Sequence, residues 1–286
     1  MTRSMLRSMT EAEAADWWGA RGLKVVAHRG RHWKQSRPGF YEPIHWMARL
    51  SAEEATGPRK LHWGFRATLD DAHGAAANAS LALHLLADVE GYTLDRFQAK
   101  RRFHIRKALK LARFQVLDEP GLLHEQGYEV YRSARQRIES SVVPEAVYHR
   151  RLDDPSLGPR GRHTLVGQVD GRLAAYLVAF AVAGTAYIEN LYLASEFMKS
   201  SIGSGLVYEF VQSCRQSGAI GQVVYGPHVP DAPALGVFKE GMGFPVRRVP
   251  SRMWLAPFVR ALVRRRDAHA YYMITGELDA PIGRAA

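Results

Sequence analysis

Apolar residues fall into long β-like blocks in the second half of the chain and scatter in the first. Thr164–Val169, Arg172–Val182 and Thr185–Leu193 are such blocks, punctuated by the turn signals Asp170-Gly171 and Gly184-Thr185, and each reads as a strand. Leu173 to Ile188 carries no charge over sixteen residues, close to the length of a membrane span. The two turn signals argue instead for buried strands joined tightly, so no integral membrane segment is expected. From Ile202 to Gln216 the apolar period changes to that of a helix. Gln222–Tyr225 then reads as a strand, Ala232–Gly241 as a short helix, and Phe244–Leu255 and Ala270–Glu277 as two final strands.

Upstream, Phe114–Leu117 reads as a strand, and Gly121–Ser140 and Pro144–Leu152 as helices, with Pro144 suited to a first helical turn. Residues 1–23 read as a surface helix anchored by Trp17 and Trp18. Lys24–Arg29 and Leu61–Leu69 read as strands separated by a loop, and the Ala-rich stretch 72–90 as a helix. Asp95–Arg113 is the clearest helix. Phe97, Ile105, Ala108, Leu109 and Ala112 share one face, and Arg96, Lys100, Arg101, Arg102, Arg106, Lys107, Lys110 and Arg113 cover the rest. That cationic surface is either a solvated face beside acidic neighbours or a wall for a phosphate-bearing ligand.

Composition narrows the partners. The net charge of +11 over 286 residues calls for something anionic: coenzyme phosphates, tRNA, acidic lipid or an acidic substrate. The single cysteine, Cys214, excludes an internal disulfide and a cysteine-based zinc cluster and fits a reducing cytoplasm. The N-terminal residues lack the apolar core of a secretory signal. Trp254–Arg266 mixes Phe258, Val259, Leu262 and Val263 with four arginines, which reads as a packed helix with a charged outer face or as a peripheral membrane contact.

The stretch that gathers these features is Thr185–Leu206, a strand followed by a Ser/Gly loop and the first turn of a helix. The first N–H groups of a helix lack internal partners, and the helix dipole adds positive charge there, so the loop Lys199–Gly205 suits an anion. Gly203 and Gly205 leave room for close approach, and Lys199 adds a point charge.

Leu191-Tyr-Leu-Ala-Ser-Glu-Phe-Met-Lys-Ser-Ser-Ile-Gly-Ser-Gly-Leu206 resembles the strand-loop-helix of GNAT-superfamily N-acyltransferases, and Leu235-Gly-Val-Phe-Lys-Glu-Gly-Met-Gly-Phe244 resembles that family's closing helix. The resemblance covers residues 160–280 and departs in three places. Met198 or Ser200 stands where Arg or Gln is usual, Ser201 replaces a loop glycine, and Lys239 takes the place of the frequent acid tyrosine. Phe238-Lys239, with Arg102-Phe-His-Ile-Arg-Lys107 upstream, is closer to the Fem-type branch, which carries two GNAT-like halves. The implied fold is α/β (α+β), a mixed sheet flanked by helices, with residues 1–113 as a degenerate first half and 114–286 as the acyltransferase half.

The resemblance implies transfer of an acyl group from an acyl-CoA thioester, acetyl-CoA first, to a small-molecule or peptide-like amine, without metal and in the cytoplasm. Its Fem-type form implies an aminoacyl-tRNA donor instead, and a third reading is a non-catalytic protein holding nucleic acid or another anion on the same fold. Backbone N–H groups near Leu191 and Leu193 would hold the donor between two parting strands, with Lys199, Ser201, Ile202, Gly203, Ser204, Gly205 and Phe238 around it. Glu189, inside an apolar strand and two residues from Leu191, is the candidate base, on the expectation that burial makes it basic. Lys239 is the candidate for neutralising the oxyanion or leaving group. His228, after a strand end, is a further acid/base candidate, with Tyr225 behind it. The chain has no Gly-x-Ser-x-Gly elbow and no His-Glu-x-x-His, and the His28/His32 pair sits among arginines unsuited to a metal.

Overall fold

A computed structural model describes residues 6–60, 62–154 and 161–277. The chain forms two compact units that interleave along the sequence. One comprises Met1–Met9, Leu85–Gly226 and Val237–Pro245, and the other Thr10–His84, Pro227–Gly236 and Val246–Ala286. Residues 6–9 and 85–113 share a unit with the downstream strands.

In the first unit, β6 (Arg113–Leu117), β7 (His163–Val169), β8 (Arg172–Val182), β9 (Thr185–Leu193) and β10 (Gln222–Pro227) lie in the order β10-β9-β8-β7-β6. The first three junctions from β6 are antiparallel, and β9–β10 is parallel. Two tight turns set the meander. Asp170-Gly171 and Ala183-Gly184 both have positive φ at each central residue, the twist that matches antiparallel strands. Helices α5 (Ile202–Ser217) and α2 (Ala99–Leu111) share a core with one face of this sheet, built from Ile105, Leu177, Ile188, Leu206, Phe210 and Val223. Helices α3 (Tyr128–Arg137) and α4 (Glu145–Leu152) cover the other face, where Tyr131, Tyr148, Tyr176, Val166 and Val178 are buried.

The second unit carries β1 (Val25–His28), β2 (Arg31–Arg37), β3 (Phe40–Pro43), β4 (Gly64–Thr68), β11 (Val246–Leu255) and β5 (Ala79–Leu86), in the order β1-β2-β3-β4-β11-β5. Helix α1 (Glu11–Ala20) opens on a capping box, with Thr10 Oγ1 accepting from Glu13 N–H and the Glu13 carboxylate accepting from Thr10 N–H. Trp33, Tyr41, Leu50, Phe65 and Leu69 form one small core. Phe40, Met253, Leu255 and Ile274 form another, closed by α7 (Pro257–Arg266) and α8 (Ala268–Thr275). Helix α6 (Pro233–Gly241) crosses the division, and its last turn belongs to the first unit.

Three expectations are corrected here. Residues 72–90 are a 3-10 turn, Asp71–Ala76, followed by strand β5. Leu81–Leu86 is buried throughout, so no alternation marks it as a strand, and β11 pairs with β5 with Leu81 opposite Val249. The stretch expected as the strand Ala270–Glu277 is helix α8, capped by the Asp267 side chain and ended by Gly276 in the left-handed region. The polar segment Arg31–Arg37, expected as a loop, is strand β2, turned back on β1 by Arg29-Gly30, both at positive φ.

Candidate active site

The parallel ladder between β9 and β10 is short. It pairs Thr185–Tyr187 with Gln222–Val224 and stops there, although β9 continues to Leu193. Ala194 N–H donates to the Ala174 carbonyl on β8 at 3.0 Å. Peptide groups alternate along a strand, so the N–H groups of Leu193 and Leu191 face the opposite edge, the one β10 has left. On that edge the Leu193 carbonyl accepts from Arg137 Nη1 at 2.7 Å, and the same nitrogen reaches Ser195 Oγ at 3.1 Å. Arg137, in the last turn of α3, was not legible as a site residue, because only the packing of α3 on β9 brings it there.

Glu189 marks an irregularity in the other ladder. Val178 pairs with Asn190 and Ala179 with Ile188, leaving Glu189 as the extra residue of a β-bulge. The bulge shifts the alternation: Ile188, Leu191 and Leu193 all pack in the α5-side core, whereas Tyr192 packs on the α3/α4 side. Glu189 therefore does not share a face with Leu191 and Leu193, as strict alternation implies. It is half-buried, and its Oε2 lies 3.7 Å from Arg162 Nε. Near the pair stand Tyr148, Tyr176 and Tyr192, with Tyr148 Oη donating to Tyr176 Oη at 3.2 Å, the Tyr176 and Tyr192 rings 4.9 Å apart, and Tyr131 packed 5.3 Å from Tyr192. Burial pushes the Tyr148 hydroxyl up to about 12 and raises Tyr192 as well.

After β9 the chain makes a 3-10 turn, Ser195–Ser200, and enters α5 through Ser201, a non-glycine residue held at φ 67°. Local bonds fix that left-handed residue. Ser204 N–H donates to its carbonyl at 2.9 Å and Gly205 N–H at 3.3 Å, while its hydroxyl sits 2.9 Å from His104 Nδ1. Helix α2 supplies further contacts, Arg101 Nη1 to Ser204 Oγ at 3.1 Å and Lys107 Nζ to the Lys199 carbonyl at 3.3 Å. The two loop glycines do different work. A Cβ at Gly203 meets only Leu193 Cδ2, at 3.8 Å, and the close approach expected there is sterically open. One at Gly205 falls 2.7 Å from both Ala108 Cβ and Phe114 Cζ, so Gly205 exists to let α2 pack. Gly205→Ala is expected to destabilise the protein by about 1–3 kcal/mol. Urea titration checks this; a change under about 0.5 kcal/mol would remove the packing role.

Lys239, on the last turn of α6, is only 7% exposed. Its ammonium lies 4.9 Å from the Tyr225 ring centroid and 3.7 Å from where a Cβ on Gly226 would stand, at the end of β10. Among the described residues no carboxylate pairs with it, and burial pulls its pKa from 10.5 down to about 8. Tyr225 is buried too, and its hydroxyl is pushed well above the ordinary range. Phe238 packs on the α5-side core, with the Arg101 guanidinium 5.5 Å over its ring.

His228 belongs to the other unit. Its backbone N–H donates to the Ala82 carbonyl at 2.9 Å, its ring lies 5.5 Å from that of His84, and its buried Nδ1 has no hydrogen-bond partner among the described residues. Among the described residues no group of three or more His, Cys, Asp or Glu side chains converges as a metal site, and no helix is long and apolar enough to cross a membrane.

The early end of the β9–β10 ladder, the bulged β9 leading into the tight entry of α5, and Lys239 on the last turn of α6 make up the candidate site. Residues 125–244 match the acetyltransferase (GNAT) family model, a match that supports an acyltransferase enzyme. A Bacillus subtilis (strain 168) relative named "Putative [ribosomal protein bS18]-alanine N-acetyltransferase" is 28% identical over 111 residues, 39% of this chain and 70% of the relative. Two solved structures extend the fold likeness over nearly the whole chain. FemX aligns with a TM-score of 0.59 at 8% identity, over 93% of this chain and 96% of FemX. The C-terminal domain (DUF2156) of an Agrobacterium fabrum "Putative Lysylphosphatidylglycerol Synthetase" aligns with a TM-score of 0.57 at 14% identity, over 96% and 95%.

Proposed function

We propose that the protein moves an acyl group, acetyl first, from a coenzyme A thioester to the amine of a small-molecule or peptide-like acceptor, in a cytoplasmic setting. The observation that carries this reading is the early end of the β9–β10 ladder at Tyr187 and Val224, inside the stretch that matches the acetyltransferase model. The residues present fit the donor in part. Gly203 leaves its approach open, and Lys199, Lys107 and Arg101 bring positive charge to the loop, whereas the room at Gly205 is taken by α2. Lys199, Ser201, Ile202, Gly203 and Ser204 would hold the phosphates, and the Leu191 and Leu193 N–H groups the pantetheine arm and acyl carbonyl. When bound, the thioester supplies an activated carbonyl.

The chain's own groups do the rest. Lys239, charged below a pKa of about 8, neutralises the developing negative charge. Glu189, a carboxylate steadied by Arg162, takes the proton of the acceptor amine. The neighbouring tyrosines offer hydroxyls to orient a polar acceptor. Incubation with a panel of coenzyme A thioesters tests the reading. A raised melting temperature with at least one of them, and acyl transfer to an amine, are expected. Neither effect with any thioester overturns the donor assignment.

A second reading, an aminoacyl-tRNA donor, is favoured by one observation. Among the described residues, none of the α2 cations pairs with a carboxylate, which removes the explanation that acidic neighbours balance them. Phe103 stands 64% exposed in their midst, an aromatic face among phosphate-binding charges. If RNA binds here, Lys100→Glu, Arg106→Glu and Lys110→Glu together lower the slope of log affinity against log salt by about 2, at about 0.7 for each phosphate no longer neutralised. Filter binding over a salt series measures it, and an unchanged slope sets this donor aside.

A further inference from the structure

Helix α7 covers the small core of the second unit with little of its surface. Only Val259 and Val263 are half-buried, Val263 against the cluster of Phe40, Met253, Leu255 and Ile274. Phe258 is 73% exposed and Leu262 46%, one helical turn apart on a strip of their own. The helix ends in Arg264, Arg265 and Arg266. Among the described residues the acids nearby are committed elsewhere: Glu277 pairs with Arg260 at 3.3 Å, Asp267 caps α8, and Asp231 holds His269 at 2.8 Å. Among the described residues Arg265 and Arg266 have no carboxylate partner.

We infer that α7 seats this unit on an anionic membrane surface, Phe258 and Leu262 entering the headgroup layer while Arg264, Arg265 and Arg266 meet lipid phosphates. An amphipathic helix with exposed large apolar side chains and a basic end has the chemistry of an interfacial anchor. Charge complementarity chooses the partner, because a neutral protein surface would leave Arg265 and Arg266 unanswered. Nucleic acid fits less well: Phe258 offers a base a face to stack on but Leu262 beside it does not, whereas a headgroup layer takes both. The inference is independent of which donor the enzyme uses.

The test is co-sedimentation of the full chain with vesicles of phosphatidylcholine alone and of phosphatidylcholine mixed with phosphatidylglycerol. Binding to the mixed vesicles only is expected. Arg264→Gln, Arg265→Gln and Arg266→Gln together should weaken it about a hundredfold, from the usual contribution of each basic residue at an anionic surface. Phe258→Ser with Leu262→Ser should weaken it at any salt concentration, with the melting temperature held because both side chains are exposed. Equal binding to both vesicle types, no binding to either, or variants that bind as wild type would overturn the inference. So would tRNA that displaces the vesicles from wild type and binds the arginine variant poorly, which would make the surface a nucleic-acid site.

Discussion

Lys239→Met is expected to lower kcat by about 10²–10³-fold while raising the melting temperature at pH 7, an opposition that separates a working charge from a structural one. The stability side follows from linkage. Lys239 titrates near 8 in the folded chain and near 10.5 when exposed, so between those values the unfolded chain holds more protons and stability rises with pH. Below pH 8 both states are charged and the burial cost is fully present, roughly 3 kcal/mol at most. Methionine fills a similar volume without that cost. On the activity side, a cation that neutralises negative charge is lost by deprotonation, so wild-type turnover should fall as pH rises through about 8. A variant that keeps full turnover, or a wild-type rate still climbing above pH 9, would remove Lys239 from the chemistry.

The largest loss of stability is expected from Arg66→Ala in the second unit, about 3–5 kcal/mol. Arg66 is buried on β4, donating to Glu42 Oε1 at 2.5 Å and to the Met273 and Ile274 carbonyls at 2.6 and 3.2 Å. Burial by itself would push the Glu42 carboxyl up, but Arg66 and Lys34 outweigh it and hold the group below its ordinary range. A lowered carboxyl contributes stability that is present above about pH 4.5 and lost on acidification through the folded value. Removing Arg66 strands a buried carboxylate and frees two carbonyls of α8. Chemical denaturation measures the change, and Glu42→Gln combined with Arg66→Met should cost less than the single truncation. A loss below about 1 kcal/mol for Arg66→Ala would mean water already reaches Glu42.

Where local pattern is strong, the chain could be read directly. Strands β8 and β9 have the bounds their apolar blocks indicate, and α5 begins at Ile202, where the apolar period changes. Asp170-Gly171 turns as read, and the second turn lies one residue earlier than read, at Ala183-Gly184. The Leu-Tyr-Leu and Gly-Ser-Gly segments, with Phe238-Lys239, carried enough of a family's pattern to indicate acyl transfer. β5 escaped because a strand buried on both faces has no alternation to show. The bounds of α8 are visible in Asp267 and Gly276, yet its apolar run by itself reads as a strand.

Turns, caps and periodicity act over a few residues, so the sequence by itself determined the meander, the entry into α5 and the class of chemistry. Which face Glu189 takes depends on a bulge against β8. The parting of β9 from β10 depends on where Val224 stops pairing, the purpose of Gly205 on the approach of Ala108, and the lowered pKa of Lys239 on what surrounds α6. Only the tertiary structure decided these, because each arises between residues far apart in the chain, where packing and desolvation set the outcome and local propensity is silent.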